Sequence, residues 1–165
     1  MNHVVQTNGL LSYFQNQILS TLQESLSIVP DSALDFKPEG DLNSLKFLFY
    51  HVVNGPFIYL SGLQKKEFTE EDFKAISFDF KNMTSFKDLL EYYNTFYSFI
   101  DNLKESLKPK DLDQIIDYNF SWGNWSLTGQ RSLETAFEEI VHHRAQIFIY
   151  MRMLGLKPPL IYPYL

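Results

Sequence analysis

Four stretches of this chain carry apolar residues at three- and four-residue intervals, and proline, glycine or a polar cluster separates each from the next. That spacing places the apolar side chains of a stretch on one face of a helix, and such a face is stable only when other helices cover it. The pattern predicts an all-α fold, a four-helix bundle. The first helix is expected from roughly Val5 to Ser27, with Leu11, Phe14, Ile18, Leu22 and Leu26 as its stripe and Pro30 beyond its end. The second opens near Asn43 or Ser44, carries Leu45, Leu48, Phe49, Val52 and Val53, and continues past Gly55-Pro56 to Leu63. Proline lacks a backbone N–H, so a kink is expected near Gly55. The third begins at Thr84 or Ser85, both good N-caps, and runs through Leu89, Leu90, Tyr93, Phe96, Phe99, Ile100 and Leu103 to the region of Leu107 before Pro109. The fourth begins near Gln130, carries Leu133, Phe137, Ile140, Val141, Ile147, Tyr150 and Met151, and stops at Gly155 with Pro158-Pro159 beyond.

The connections are long and partly extended. Residues 65–83 show the alternation Phe73, Ile76, Phe78, Phe80, and residues 115–127 place Tyr118, Phe120, Trp122 and Trp125 around Gly123-Asn124, the pattern of a short hairpin. Aromatic side chains in such number are rarely left in solvent, so both connections are expected to lie over the bundle or line a pocket mouth. Connections of this length also permit crossovers, which leaves the order of the helices in space open.

With 165 residues, 45% of them hydrophobic, the chain is expected to fold as a single domain over 1–165. A net charge of −6 with no lysine or arginine cluster argues against nucleic acid as a partner. No run of about 18 apolar residues occurs and the N-terminus lacks a basic segment leading into an apolar one, so no membrane partner is expected and the expected compartment is the cytoplasm. Cysteine is absent, which excludes thiolate ligands and leaves nitrogen and oxygen donors for any metal.

The four histidines can be weighed singly. His3 lies near the terminus. His51 sits in the most apolar part of the second helix, where an imidazole requires a hydrogen-bond partner or a metal; the plainer alternative is a core histidine bonded to a carbonyl or a tyrosine. The fourth helix adds two overlapping pairs, Glu138 with His142 and Glu139 with His143, each four residues apart and therefore one turn apart on one face. Ile140, Ile147 and Met151 share the side of His143, which turns His143 and Glu139 inward, while His142 falls about 100° away and is expected at the margin, half-exposed or paired with Glu138. A carboxylate and two imidazoles in a core are costly unless they share charge. A divalent cation held by His51, Glu139 and His143, zinc or nickel by donor type, answers all three, and a Glu–His ion pair is the alternative.

Three stretches resemble the DinB/YfiT family of four-helix metalloproteins. Leu34-Asp35-Phe36-Lys37-Pro38 leading to Ser44 through His51 is similar to the family's aromatic-x-Pro loop and histidine-bearing second helix. His142-His143-Arg144-Ala145-Gln146 is similar to its His-His-Arg-Gly-Gln signature, and Met151-Arg152-Met153-Leu154-Gly155-Leu156-Lys157-Pro158-Pro159 to its Leu-Arg-x-x-Gly-x-x-Pro-Pro ending. The resemblance implies a metal held by three histidines, carried over by position to His51, Glu139 and His143. Glu139 is the departure: it ligates in place of histidine, or it stands off the metal as a general base, or the site has lost its ion. The resemblance further implies a homodimer, a small-molecule substrate, and a metal-dependent reaction of the kind run by bacillithiol S-transferases, with metal-dependent hydrolysis or a non-catalytic stress-related dimer as the alternatives. Asn54, Tyr50, Trp122 and Trp125 are candidates for the pocket wall.

Overall fold

The computed structural model describes residues 3–161, with side chains from Thr7 onward. Helix α1 (His3–Tyr13) passes through a π-helical turn at Phe14–Leu19 into α2 (Ser20–Ile28), so the first expected helix is one rod with one wide turn. Its stripe of Leu11, Phe14, Ile18, Leu22 and Leu26 is buried throughout. The wide turn coincides with a polar anchor. Gln15, itself buried, donates to the Tyr97 carbonyl at 3.1 Å and to Asp101 at 3.0 Å, accepts from Lys104 at 2.7 Å, and takes the Tyr97 hydroxyl on its backbone carbonyl. A π turn loosens the helical ladder, and here the loosened carbonyl has a side-chain donor.

Helix α3 (Leu45–Lys65) starts where Ser44 Oγ accepts from the Phe47 N–H, and it stays continuous through Pro56, so Gly55-Pro56 does not end it. Lys66 takes a left-handed φ of 76° and turns the chain into β1 (Glu67–Thr69) and α4 (Glu70–Ile76). The expected alternation across this connection is not a strand. Thr69 and Asp72 form a capping box, which nucleates a helix that takes up Phe73 and Ile76, while Phe80 opens a short 3-10 turn. Helix α5 (Asp88–Ser106) begins later than Thr84 because the Asp88 carboxylate accepts from the N–H groups of Thr84 and Ser85, both at 3.0 Å, and folds them into a preceding turn.

The expected hairpin forms from β2 (Ile115–Phe120) and β3 (Gly123–Thr128). Strand β2 also pairs with β1, in parallel and with Phe68 opposite Tyr118, giving the sheet order β1-β2-β3. Parallel neighbours need a crossover, and the chain between them contains α4 and α5. The partly extended connections are therefore one small sheet, seated on the bundle through Phe68, Ile116, Tyr118 and Phe120, all buried.

Helix α6 (Gly129–Met153) follows β3 at once, its first turn capped by Thr128 Oγ1 accepting from the Arg131 N–H. It ends as its glycine implies: Gly155 has φ of 74°, its N–H donates to the Arg152 carbonyl, and the Leu156 N–H donates to the Met151 carbonyl. Helices α3 and α6 pack along each other, and the site lies between them. Among the described residues no helix is long and apolar enough to cross a membrane.

Candidate metal centre

The core stripe of α3 consists of Leu45, Leu48, Phe49, Val52, Val53 and Leu60, all buried. Phe47, His51, Gly55 and Tyr59 recur every four residues beside that stripe and form a second row. His51 is for this reason at the edge of the core and not within it, its side chain 33% exposed. Phe47 stacks on its ring at 5.2 Å and 12°, and Phe80 in turn packs edge-on against Phe47.

Helix α6 supplies the other half. Ile140, Ile147 and Met151 are fully buried, and they carry His143 inward to 13% side-chain exposure, with Glu139 one turn before it. One carboxylate oxygen, Glu139 Oε2, lies 3.3 Å from His143 Nε2 and 3.5 Å from His51 Nε2. The two imidazoles stand nearly perpendicular with ring centres 4.7 Å apart, and one donor atom from each of the three residues falls within 4.8 Å of the others. On the far side of the His143 ring, Nδ1 is 2.7 Å from Gln146 Oε1. An amide oxygen only accepts, so Nδ1 carries the proton and, in the neutral ring, Nε2 presents its lone pair to the site.

The electrostatics follow from this crowding. The adjacent imidazoles, His143 first and His51 second, hold the Glu139 carboxyl far below the usual carboxylate range. Burial favours the neutral form of His143, but Glu139 and Gln146 together outweigh it and raise the imidazole pKa. The Tyr59 phenol is raised by burial and then by the Glu139 charge, which places it within the field of the same carboxylate.

The donor set fits a metal ion. The two N···O separations exceed the roughly 2.7–3.2 Å of a hydrogen bond. They are close to the ~3.3–3.4 Å between ligand atoms held about 2.0–2.1 Å from a tetrahedral ion. Room is provided by the backbone: a Cβ at Gly55 would stand 3.4 Å from Glu139 Oε2 and 3.8 Å from His51 Nε2.

The family model of the DinB superfamily matches residues 16–147, a span that includes His51, Glu139 and His143. The chain belongs to the DinB superfamily. It is similar to the uncharacterised protein YjoA of Bacillus subtilis (strain 168), 24% identical over 152 residues that make up 91% of this chain and 92% of YjoA. The crystal structure of that DinB-like protein superposes with a TM-score of 0.72 at 19% identity over 93% of this chain and 97% of the other. A DinB-like protein from Bacillus cereus gives 0.71 at 24% identity over 92% and 95%. YfiT from Bacillus subtilis, described as a probable metal-dependent hydrolase with an unusual four-helix bundle topology, gives 0.68 at 14% identity over 92% and 89%.

Within this DinB-superfamily chain, His51, Glu139 and His143 come together, and several neighbours do not join them. Val141, read as part of the apolar side, is 46% exposed, because it lies about 100° round the helix from Ile140. Glu138 does not pair with His142; it binds the Arg131 guanidinium through both oxygens at 2.9 Å. His142 is exposed, its ring edge-on to that of His143. The His3 side chain lies outside the described residues. Asn54 accepts the Tyr92 hydroxyl at 2.8 Å inside the core, and Tyr50 stacks on Phe80. Trp122 and Trp125 stack with Phe120 in the hairpin. The residues that do frame the site, Phe47, Gly55 and Gln146, were legible only as intervals: four from His51 on either side, three from His143.

Proposed function

We propose that this chain is a divalent-metal-dependent hydrolase whose ion is held by His51, Glu139 and His143. The observation that carries the proposal is the separation of the three donor groups, too wide for direct hydrogen bonds and suited to a shared ion. Catalytic zinc sites use three protein ligands and leave a fourth position open, and two histidines with one glutamate is such a set. Nitrogen and oxygen donors suit zinc or nickel. The likeness in fold to YfiT agrees with this reading.

Bound there, a divalent ion would supply Lewis-acid polarisation of a substrate oxygen and acidify a coordinated water. The protein's part is positioning. Gln146 holds the His143 tautomer, Phe47 holds the plane of His51, and Glu139 contributes the negative charge that offsets part of the dication. The hydrogen at Gly55 leaves the space a ligand needs.

Metal analysis of the purified protein tests the ligand set: one zinc or nickel ion per chain is expected, absent from His51→Ala. Hydrolysis of a panel of activated esters, amides and phosphodiesters by the loaded protein, lost in the same variant, tests the reaction class. A protein that takes up no stoichiometric metal overturns the proposal. A loaded protein that leaves the panel intact but conjugates chlorodinitrobenzene to a low-molecular-weight thiol moves the assignment to thiol S-transfer at the same centre.

A further inference from the structure

A cavity lies well away from the metal centre, where the C-terminal ends of α3 and α5 meet the 3-10 turn at Pro109–Asp111. Leu63, on its α3 wall, is twelve residues beyond His51, roughly 18 Å along the helix. The space is about 350 Å³, inside the roughly 300–1,000 Å³ range of small-molecule sites. Leu63, Leu103 and Leu107 give it an apolar wall, each of them otherwise packed in the core. Its charged lining is unlike the rest of the molecule. Three lysines, Lys66, Lys108 and Lys110, stand against one carboxylate, Asp111, a net charge of +2 in a chain of net charge −6.

A lysine at a helix C-terminus is ordinarily explained by the carbonyls it neutralises, and Lys66 is of that kind. Its ammonium donates to the Leu63 carbonyl at 3.2 Å and pairs with Asp111 Oδ1 at 2.8 Å, while Asp111 Oδ2 accepts from the Lys108 N–H at 2.8 Å. Both oxygens of Asp111 are thus engaged and Lys66 cancels its charge. Lys108 and Lys110 are left over. Lys46, Lys65, Lys74 and Lys104 each pair with a carboxylate, but the ammonium groups of Lys108 and Lys110 have no ion-pair partner among the described residues. We propose that this cavity binds a small phosphate monoester, its phosphate held by Lys108 and Lys110 and its organic part against Leu63, Leu103 and Leu107. Above its second pKa of about 6 a phosphate monoester carries close to two negative charges, the number the two lysines leave unmatched, whereas a carboxylate carries one. Lysine meets phosphate as a point charge, and no planar fork is needed. The proposal involves none of the metal ligands and stands apart from the hydrolase reading.

Phenyl phosphate is the probe, titrated into the full chain and followed by amide chemical shifts. Saturable binding is expected with a dissociation constant of about 1 mM or below, moving the resonances of Leu63, Leu107 and Lys110. Replacing both lysines, Lys108→Ala with Lys110→Ala, should weaken it about tenfold or more at an unchanged melting temperature. The same change at two exposed lysines outside the cavity, Lys81→Ala with Lys87→Ala, should leave it unaltered. His51→Ala should bind the probe as the native chain does, which separates this cavity from an ion at the metal centre that could itself take a phosphate. Inorganic phosphate lacks the ring and benzoate the second charge, and each should bind about tenfold more weakly or worse. The proposal is overturned by the absence of saturable binding, by shifts confined to the surroundings of His51, or by loss of binding in His51→Ala. It is overturned equally by a double lysine variant that binds like the native chain. Inorganic phosphate that binds as tightly as phenyl phosphate marks an adventitious ion only and removes the monoester; benzoate that does so removes the charge match.

Discussion

At 2.7 Å from Gln146 Oε1, Nδ1 of His143 has its proton placed for it, which leaves Nε2 to face the proposed ion. Outer partners of this kind typically contribute about 10–100-fold to metal affinity. Gln146→Ala is expected to weaken zinc binding by about that factor in a calorimetric titration while leaving one site per chain. Gly55 acts by what it lacks. A methyl group there would sit in ordinary contact with Glu139 Oε2, so Gly55→Ala should fold normally yet fill space that an ion and its substrate require. Loss of zinc uptake or of turnover with an unchanged melting temperature would bear this out, and unaltered uptake and turnover would count against it. His51 and His143 could be singled out by counting turns along each helix. Their convergence on a single oxygen of Glu139 depends on how two helices cross, and intervals within one helix do not encode that.

The joint between the hairpin and α6 decides where Glu139 and His143 begin their count of turns. At Gly129 the chain passes so close to the preceding connection that a Cβ would stand 2.1 Å from the Asp111 carbonyl oxygen and 2.9 Å from the Leu112 Cα. Both are backbone atoms and neither can step aside cheaply. Gly129→Ala should therefore destabilise by about 1–3 kcal/mol in urea unfolding. The same connection is anchored by Asp111, a buried carboxylate that accepts from the Lys108 N–H at 2.8 Å and pairs with Lys66 at 2.8 Å. Burial alone would raise its pKa, but the bond to Lys66, the Lys108 N–H and the charges of Lys66 and Lys110 outweigh it and hold the carboxyl below its ordinary value. A depressed folded-state pKa contributes stability above the unfolded pKa of about 4, and that stability is lost as pH falls through the folded value. Asp111→Asn should accordingly cost about 1–3 kcal/mol at neutral pH, with the gap from the parent closing as the pH is lowered below about 4. A gap that did not change with pH would remove the ionic part of this account. Elements such as these were partly readable in advance: the hairpin from Gly123-Asn124, the α6 stop from Gly155. The start of α4 was not, because its capping box competes with an alternation that suits a strand equally well.

The proposed metal ligands come from α3 and α6, elements separated in sequence by the whole crossover, so an ion bound by both would join two parts of the molecule that unfolding would part. A ligand that binds only the folded chain stabilises it by about 2.7 kcal/mol at a hundred times its dissociation constant. For a chain of this size that corresponds to roughly 5–10 °C in melting temperature, at about 2–4 °C per kcal/mol. Saturating zinc is expected to produce such a shift in the parent and almost none in His51→Ala, measured by differential scanning calorimetry. Equal shifts in both would place the ion elsewhere. What the sequence determined by itself was local and periodic: which residues form helices, which face of each is apolar, and therefore that Glu139 and His143 share one face of α6 on its apolar side, since 3.6 residues per turn make those statements independent of the rest of the chain. Only the tertiary structure decided that β1 pairs with β2 across the crossover, that Glu138 answers Arg131 and not His142, and that the imidazoles of His51 and His143 converge on one oxygen of Glu139. Those are contacts between segments far apart in sequence or turns apart on a surface, and their energies belong to the packed molecule and to no single stretch of it.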